Sequence, residues 1–580
     1  MSTHTFNSET VLLTNNQQIG SSNFTLRDAS CNAGDVMVVS NRNNVFGLYN
    51  IPSTHFEWAT QSTQPTVDGQ TNSGYGSSII CDTSGNIYVT GRFVTDVQFG
   101  ATTLTNSGNI SIYVAKMNSS GSWVWAYQST GSGNAYGNGI TIDTSGNLYI
   151  TGYFTGSTTF GSTTLTNSSG YDAFIAKMNS SGTWVWATQS THTSGNAEAY
   201  AIAIDSSSNL YITGKFDTDS TFGSTTLTNS GTDAIYVAKM NSSGSWIWAT
   251  QTTYTSSTGA EAYSITVDSS NDILIIGSFR IDVIFGATTL TSSDYAVCVA
   301  KINSSGAWVW ASQSTHTGIG LAYGNSIVAD SSNNLYITGT FEKNATMSSS
   351  LISFSLLPFV AKLNSSGSWL WASQANYNNT YNHKADSIKI DSNNNLYIVG
   401  TFISELTFGS TTLLSDITQS YFPYVAIIDS SGNWISAYQT TSTNSQGNVN
   451  SNAVSIIIDN TDNKYMYYGF DYNLTLGTTK LSTIDQTIFV SKINNQENIS
   501  TIPEKIVVAR ESGSLSNSIS CGINGIISSF SGLTTGSFYY LQTNSTISTT
   551  KSDQLIGVAI NSTTILFEPS PTYNTFSQIL

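Results

Sequence analysis

An aspartate recurs at Asp82, Asp143, Asp205, Asp268, Asp330, Asp391 and Asp459, each time opening a short polar loop such as Asp143-Thr144-Ser145-Gly146-Asn147. A carboxylate among Ser, Gly and Asn is raw material for calcium binding. A calcium site, however, draws on several oxygens, ordinarily more than one carboxylate. Each loop is read as one Asp with neutral neighbours, hence as an Asx-type turn closing a hairpin. His192 and His316 both follow Gln-Ser-Thr and read as a shared loop position; His4, His55 and His383 stand apart. Cys31, Cys81, Cys298 and Cys521 form no Cys-x-x-Cys pair, which argues against a zinc site or a disulfide framework. Cys298 stands where other copies carry Phe or Tyr and reads as a small buried hydrophobe. The Gly-rich stretch 133–139 reads as a loop before a strand, and no phosphate loop is present. The residues therefore define no catalytic, cofactor-binding or metal site, and no cofactor is expected.

The elements that carry these residues repeat about every 62 positions. Trp-Val-Trp-Ala-Tyr-Gln begins at Trp123 and returns at Trp184, Trp246, Trp308, Trp369 and Trp434, with a partial copy at Phe56. All 12 tryptophans lie in these copies. The Asp loop follows, then a run such as Leu148–Phe154 that contains a regular glycine: Gly91, Gly152, Gly214, Gly277, Gly339, Gly400 and Gly469. A third element, FGSTTLTN, begins at Phe160 and Phe222, has variants at Phe99, Phe285, Phe408 and Leu476, and is expected to be lost in the fifth copy. A fourth, typified by residues 173–182, leads through Asn-Ser-Ser-Gly to the next Trp motif. Each unit holds about four short strands joined by Asn/Gly turns. Radial repetition of such units is a β-propeller.

The array begins with the Trp strand at Phe56–Gln61 and ends with Ile488–Asn494, which has no Trp strand after it. The two halves complete one unit. The sequence therefore predicts an all-β fold: a seven-bladed β-propeller closed by its N-terminal strand, with an open β-solenoid as the alternative. The expected domains are an N-terminal segment at 1–54, the propeller at 55–498 and a C-terminal β domain at 499–580.

Asp143, Gly146, Asn147, Tyr149, Thr151 and Gly152 carry the pattern D-x-x-G-N-x-Y-[VI]-T-G, and over residues 56–498 the repeats resemble the SBBP-type β-propeller repeat family. That resemblance implies a fold and no particular activity. Ser531, Gly532, Leu533, Thr534, Gly536, Tyr539, Tyr540 and Leu541, then Gly557, Val558, Ala559, Ser562, Thr563, Thr564 and Leu566, resemble a small β domain of phage tail fibres and other virion proteins. Thr535 stands in place of that pattern's proline. Its upstream GD-V-V strand stands at the other end of the chain, at Gly34–Val39, which implies that the propeller is inserted into the domain. Residues 20–50 and 504–568 are expected to form it, with strands such as VMVV, KIVVA and LIGVAI.

The Asn-Ser-Ser-Gly-x-Trp turns resemble the Asp-box of sialidase propellers, but only Asp429 restores its acid. Sialidases also hold their substrate's carboxylate with clustered arginines, whereas residues 56–498 contain only Arg92 and Arg280. No acidic residue stands out as half of a glycosidase pair. Five turn asparagines, Asn118, Asn179, Asn241, Asn303 and Asn364, form N-x-S sequons and read as turn chemistry. A net charge of −16 with no basic run argues against nucleic-acid binding. The N-terminus lacks the charged and apolar regions of a secretory signal, and no apolar run is long enough to span a membrane. These readings predict a non-catalytic structural or attachment protein of a virion. A bacterial surface or released adhesin is the alternative, and a propeller hydrolase or lyase comes third. The expected partners are a protein or glycan on a cell or particle surface, and sister chains through the terminal domain. The expected location is the virion or an extracellular surface.

Overall fold

The computed structural model describes most of residues 56–493, apart from loop stretches of which 64–73 and 441–453 are the longest; outside that span it describes only a few strands. The chain divides into two compact units, residues 1–54 with 496–580, and residues 55–495. In the first unit, Val36–Ser40 pairs antiparallel with Val45–Tyr49, in a sheet that also holds His4–Phe6 and Phe24–Leu26. Phe538–Leu541, Ile547–Ser548, Gln554–Asn561 and Thr564–Leu566 form a second sheet. VMVV and LIGVAI are thus strands, while KIVVA and Ser531–Gly536 lie outside the described residues.

The second unit is all-β and built from propeller-type repeats. One sheet orders Ala135–Ile142, Leu148–Phe154, Asp172–Met178 and Trp184–Gln189 as neighbouring antiparallel strands. Equivalent sheets span residues 74–128, 197–251, 260–313, 322–374 and 384–439. A further sheet joins Val454–Ile458, Lys464–Phe470 and Thr487–Ile493 to Phe56–Gln61, with Phe489 opposite Gln61 and Ser491 opposite Ala59. The second and third strands of each sheet are buried almost throughout, because neighbouring sheets cover both faces. Leu148, Tyr149, Ile150 and Phe154 are all fully buried. Such strands read as continuous apolar runs instead of alternating.

Turn chemistry sets the strand ends. In the Asp143 turn the carboxylate Oδ1 accepts the N–H groups of Ser145 and Asn147, at 2.9 and 2.8 Å, and Gly146 takes a φ of +79°. The Asn179 turn uses its amide oxygen the same way, accepting from Ser181 and Thr183. Asp429 does this job in its own turn, so its acid is a turn acceptor and not an isolated reactive carboxylate.

The tryptophans tie sheet to sheet. Trp123 Nε1 donates to Gln61 O at 3.2 Å, and Trp308 Nε1 to Gln251 O at 3.2 Å, each in the preceding sheet. Trp58, Trp186, Trp248, Trp310 and Trp371, each the second Trp of its motif, lie over a turn glycine of the next sheet, and Tyr127 covers Gly182 in the same way: a Cβ on Gly244 would come within 3.1 Å of the Trp186 ring. These indoles are half-buried, since one face remains at the rim. The outer hairpin keeps its place in the fifth copy despite the altered sequence. Ala345–Met347 pairs with Ser350–Ile352, and buried Met347 replaces the phenylalanine. A flexible thioether fills the space that an aromatic ring fills elsewhere.

Candidate functional site

The Asp loops are fully engaged in structure. Besides its two backbone contacts, Asp143 Oδ2 accepts from Asn147 Nδ2 at 2.8 Å and from the Tyr149 hydroxyl at 2.9 Å. Burial alone would raise this carboxyl; the donors on Asn147, Tyr149 and Ser145 outweigh it and hold the group below the usual carboxylate range. Asp82, Asp205 and Asp459 repeat the arrangement. Two loops carry a second acid, Asp272 and Asp462, that departs from the one-carboxylate pattern. In the first, Leu274 replaces the tyrosine, and Lys301 Nζ binds Asp268 and Asp272 at 2.8 and 3.0 Å. In the second, Asp462 reaches across to Ser392 of the neighbouring sheet.

His192 and His316 do occupy equivalent places, each in a two-residue strand beside the outer hairpin. His192 lies between Asp172, 2.8 Å from Nδ1, and Ser169 O, 2.8 Å from Nε2. The Asp172 contact raises its pKa, with burial opposing. Cys81 and Cys298 are free, and burial pushes each thiol up to about 12, which leaves them inert. His383 is fully buried with its ring edge-on to Tyr377, and burial lowers its pKa from 6.5 to about 4. A depressed histidine means that the unfolded chain binds more protons between those values. Stability from this group is therefore complete above pH 6.5 and lost as pH falls towards 4. The loss amounts to about 3 kcal/mol. Denaturant unfolding of wild type and His383→Phe across that range should show a steeper fall in wild type, by about this amount, on top of the carboxylate slope that both share; parallel curves would refute it.

The chemically distinctive cluster lies elsewhere, on the first strand of each sheet. First strands of successive sheets pack side by side, from Gly74–Cys81 through to Val454–Ile458, and the latter packs against Gly74–Cys81. Six of these strands carry a bulge, marked by register shifts at Gly76/Ser78, Gly137/Gly139, Ala199/Ala201, Ala262/Ser264, Gly324/Ser326 and Ala385/Ser387. A bulge inserts one residue and re-aims the side chains around it. The inserted residues are Ser77, Asn138, Tyr200, Tyr263, Asn325 and Asp386. Two positions earlier stand Tyr75, Tyr136, Glu198, Glu261, Tyr323 and Lys384.

The regular glycine of the motif makes room for each bulge. A Cβ on Gly214 would lie 1.9 Å from Glu198 O, and one on Gly152 would lie 1.8 Å from Tyr136 O. Of the stretch 133–139 only Gly133 and Asn134 precede the strand; Ala135–Gly139 belongs to the strand Ala135–Ile142 itself.

Around these bulges the side chains form an arc. Tyr136 stacks on Tyr153 with centroids 4.6 Å apart, and Tyr171 stands edge-on to Tyr153 at 5.0 Å. Tyr153 meets Tyr200 edge-on at 6.5 Å, and Tyr200 stacks on Tyr263 at 5.8 Å. Tyr295 and Tyr323 continue the series at 5.6 Å. The Arg92 guanidinium lies over Tyr75 at 4.6 Å and over Tyr136 at 5.3 Å. Glu198 Oε2 accepts from the Tyr200 hydroxyl at 2.9 Å, and Glu261 Oε2 from Tyr263 at 3.1 Å. Lys215 Nζ sits 3.2 Å from both Asp233 and Glu261. Burial raises the Glu198 carboxyl against the lowering pull of Tyr200 and Lys215. A recess of about 380 Å³ beside the arc is lined by Thr155, Gly156, Asn167, Ser169, Gly170 and Tyr171. Half-exposed tyrosine faces interleaved with carboxylates and a guanidinium can stack on a ring and hydrogen-bond to its hydroxyls. Sequence reasoning missed this cluster. Its signal was the one strand that varies between repeats: AYGN at Ala135 and Ala322, AEAY at Ala197 and Ala260.

Comparison with known proteins agrees with the fold. The family described as beta-propeller repeat matches residues 124–159 and 185–215. An uncharacterised WD repeat-containing protein of Acanthamoeba polyphaga mimivirus is 28% identical over 157 residues, which is 24% of this chain and 11% of that protein. The chain thus spans about a tenth of the length of that relative. Among solved structures, a polysaccharide lyase described as a PL25 ulvan lyase aligns at a TM-score of 0.43 and 11% identity, covering 70% of this chain and 93% of its own. The phage phi92 endosialidase aligns at 0.36 and 12% identity, covering 87% of this chain and 75% of its own. At these scores the likenesses carry no argument about activity. Among the described residues, no helix is long and apolar enough to cross a membrane.

Proposed function

We propose that this chain is a non-catalytic attachment or structural protein that binds glycan through the tyrosine arc at its first-strand bulges. The carrying observation is the Tyr136–Tyr153 stack set between Arg92 and Glu198. Aromatic faces supply contact area at small entropic cost, and the charged groups orient what stacks on them. A binding role is favoured over proton-transfer chemistry because burial moves the tyrosine hydroxyls the wrong way for a base. Tyr153 is pushed up to about 12, with Glu198 adding to the shift and Arg92 opposing it.

In this reading the sheets are seven blades in a closed ring, with Phe56–Gln61 as the outer strand of the last blade. The first unit, with its resemblance to phage fibre domains, serves as the anchor to a particle or to sister chains. A partial match to a protein of a virus is in keeping with a viral source; display by a bacterial adhesin is the second reading. On a glycan array, wild-type protein should give defined hits that Tyr153→Ala reduces roughly tenfold or more, the worth of one lost stacking face. A Tyr153→Ala protein that is folded and binds as wild type would remove the arc from the site. Release of sugar products from any hit glycan would overturn the non-catalytic reading.

A further inference from the structure

The cations around the arc are not equivalent. Lys215 is committed to Asp233 and Glu261, and Arg280 reaches Asp294 with Nε 3.7 Å from Oδ1. Arg92 differs. Its guanidinium is held over the Tyr75 and Tyr136 rings, and among the described residues no carboxylate lies within ion-pair distance of it. Tyr75 is also its cross-strand partner on the bulged first strand, so the backbone fixes the position. A guanidinium lying over ring faces keeps its N–H edge for another acceptor. Its planar fork matches an oxyanion bidentately.

Resting on the glycan-binding reading above, we propose that the ligand is an anionic saccharide whose carboxylate or sulfate is held by Arg92 while its ring stacks along the tyrosine arc. The flanking tyrosines distinguish a charged sugar from a bare anion, since Tyr153 and Tyr171 extend the contact surface beyond the guanidinium. The recess beside Tyr171 gives the next sugar unit a place to continue. Lys215 is held by Asp233 and Glu261, which leaves Arg92 as the cation of the arc that is not committed to a carboxylate among the described residues. Glu198, across the tyrosine stack, is left to accept from sugar hydroxyls.

The test is a glycan array carrying neutral, uronate-bearing, sialylated and sulfated members, probed with the full chain and with Arg92→Gln and Arg92→Lys. The strongest hit is then titrated beside its carboxyl-reduced or desulfated form at two salt concentrations. The expected result is a hit set dominated by acidic glycans. Neutralising the ligand's acid group should cost about tenfold to a hundredfold in affinity, as loss of a charge-assisted bidentate contact does. Arg92→Gln should lower affinity for the acidic form by a similar factor, leave the neutral form unchanged and abolish the salt dependence. Arg92→Lys should keep the salt dependence at reduced affinity. Whether the carboxylate or the sulfate member binds assigns the anion. Hits that are neutral and indifferent to Arg92→Gln would overturn this inference and leave glycan binding standing. An array without hits, from protein that melts cooperatively, would overturn both. Melting of Arg92→Gln at the wild-type temperature separates lost recognition from lost folding.

Discussion

Gly214→Ala should destabilise the protein by roughly 3 kcal/mol or more, well above the cost at a surface glycine, and should disable binding at the same time. The added methyl would sit 1.9 Å from Glu198 O and 2.9 Å from its carbonyl carbon. Backbone has no rotamer with which to give way, so the strand pair must separate or the bulge must flatten. Flattening removes the inserted position of Tyr200 and turns Glu198 from its place, because a one-residue slip exchanges the faces of a strand. The contrast is Gly146→Ala. That glycine sits in a turn at φ +79° and its Cβ would meet only Ser180 Cβ, at 3.2 Å. Its cost should be about 1 kcal/mol, with binding intact. Urea unfolding of both variants, with glycan titration of whatever remains folded, separates the two cases. A Gly214→Ala protein as stable as wild type would show that the bulge does not depend on this glycine.

This pair of glycines explains what could be read from the chain. Gly152 recurs as glycine in every copy, whereas the Gly146 position keeps its positive φ but is filled by Ser208, Asn271, Asn333, Asn394 or Asp462 in five of them; the one serves the site and the other a turn. The turns, the paired tryptophans and the buried strands were legible because every sheet must solve the same packing problem with the same residues. Leu148, Tyr149 and Phe154 return in kind wherever two neighbouring sheets close on them. A binding site built on a repeat works in the opposite way. It is written in the positions where the copies disagree, such as Tyr136 against Glu198 or Asn138 against Tyr200. Self-similarity filters those positions out as noise.

Other details were hidden because they depend on distance and not on pattern. Lys301 replaces a Tyr–Asp contact with an ion pair to Asp268, although residue 274 reads only as one more apolar strand position. The fifth outer hairpin survives with Met347 in its core, where loss of the FGSTTLTN wording implied loss of the element. Nor does composition reveal that, among the described residues, Arg92 has no carboxylate within ion-pair distance while Lys215 has two. Both cations directly follow the regular glycine of their repeat, and the pattern goes no further, because the partners of Lys215 come from its own sheet and from the next.

Removing the segment before residue 62 from a chain that ends at residue 495 should cost on the order of 5 kcal/mol or more relative to a chain of residues 55–495. Phe56 is 8% exposed and shares a core cluster with Ile456 of its own sheet and with Tyr397, Val399, Val425 and Ile427 of the neighbouring one. Its loss alone is of the size of a core Phe→Ala change, about 3–5 kcal/mol. The strand also pairs along Thr487–Ile493, and Glu57 reaches Lys492 at 2.8 Å. On its other side the segment holds the 74–128 sheet: Thr60 Oγ1 donates to Gly121 O at 2.8 Å, and Gln61 O accepts from Trp123 Nε1. Deletion therefore loosens two sheets and exposes the unpaired edge of Thr487–Ile493, which invites aggregation. A rearranged chain distinguishes this account from a general need for more residues. In it, residues 55–61 are moved behind Asn494 through a Ser-Ser-Gly turn, copying the Asn179–Thr183 connection used by another sheet. If the proposed ring depends on the strand and not on where the chain starts, the rearranged protein should recover most of the lost stability. Urea midpoints for the three chains decide it: recovery supports closure by this strand, and a rearranged chain as weak as the deletion would reject it.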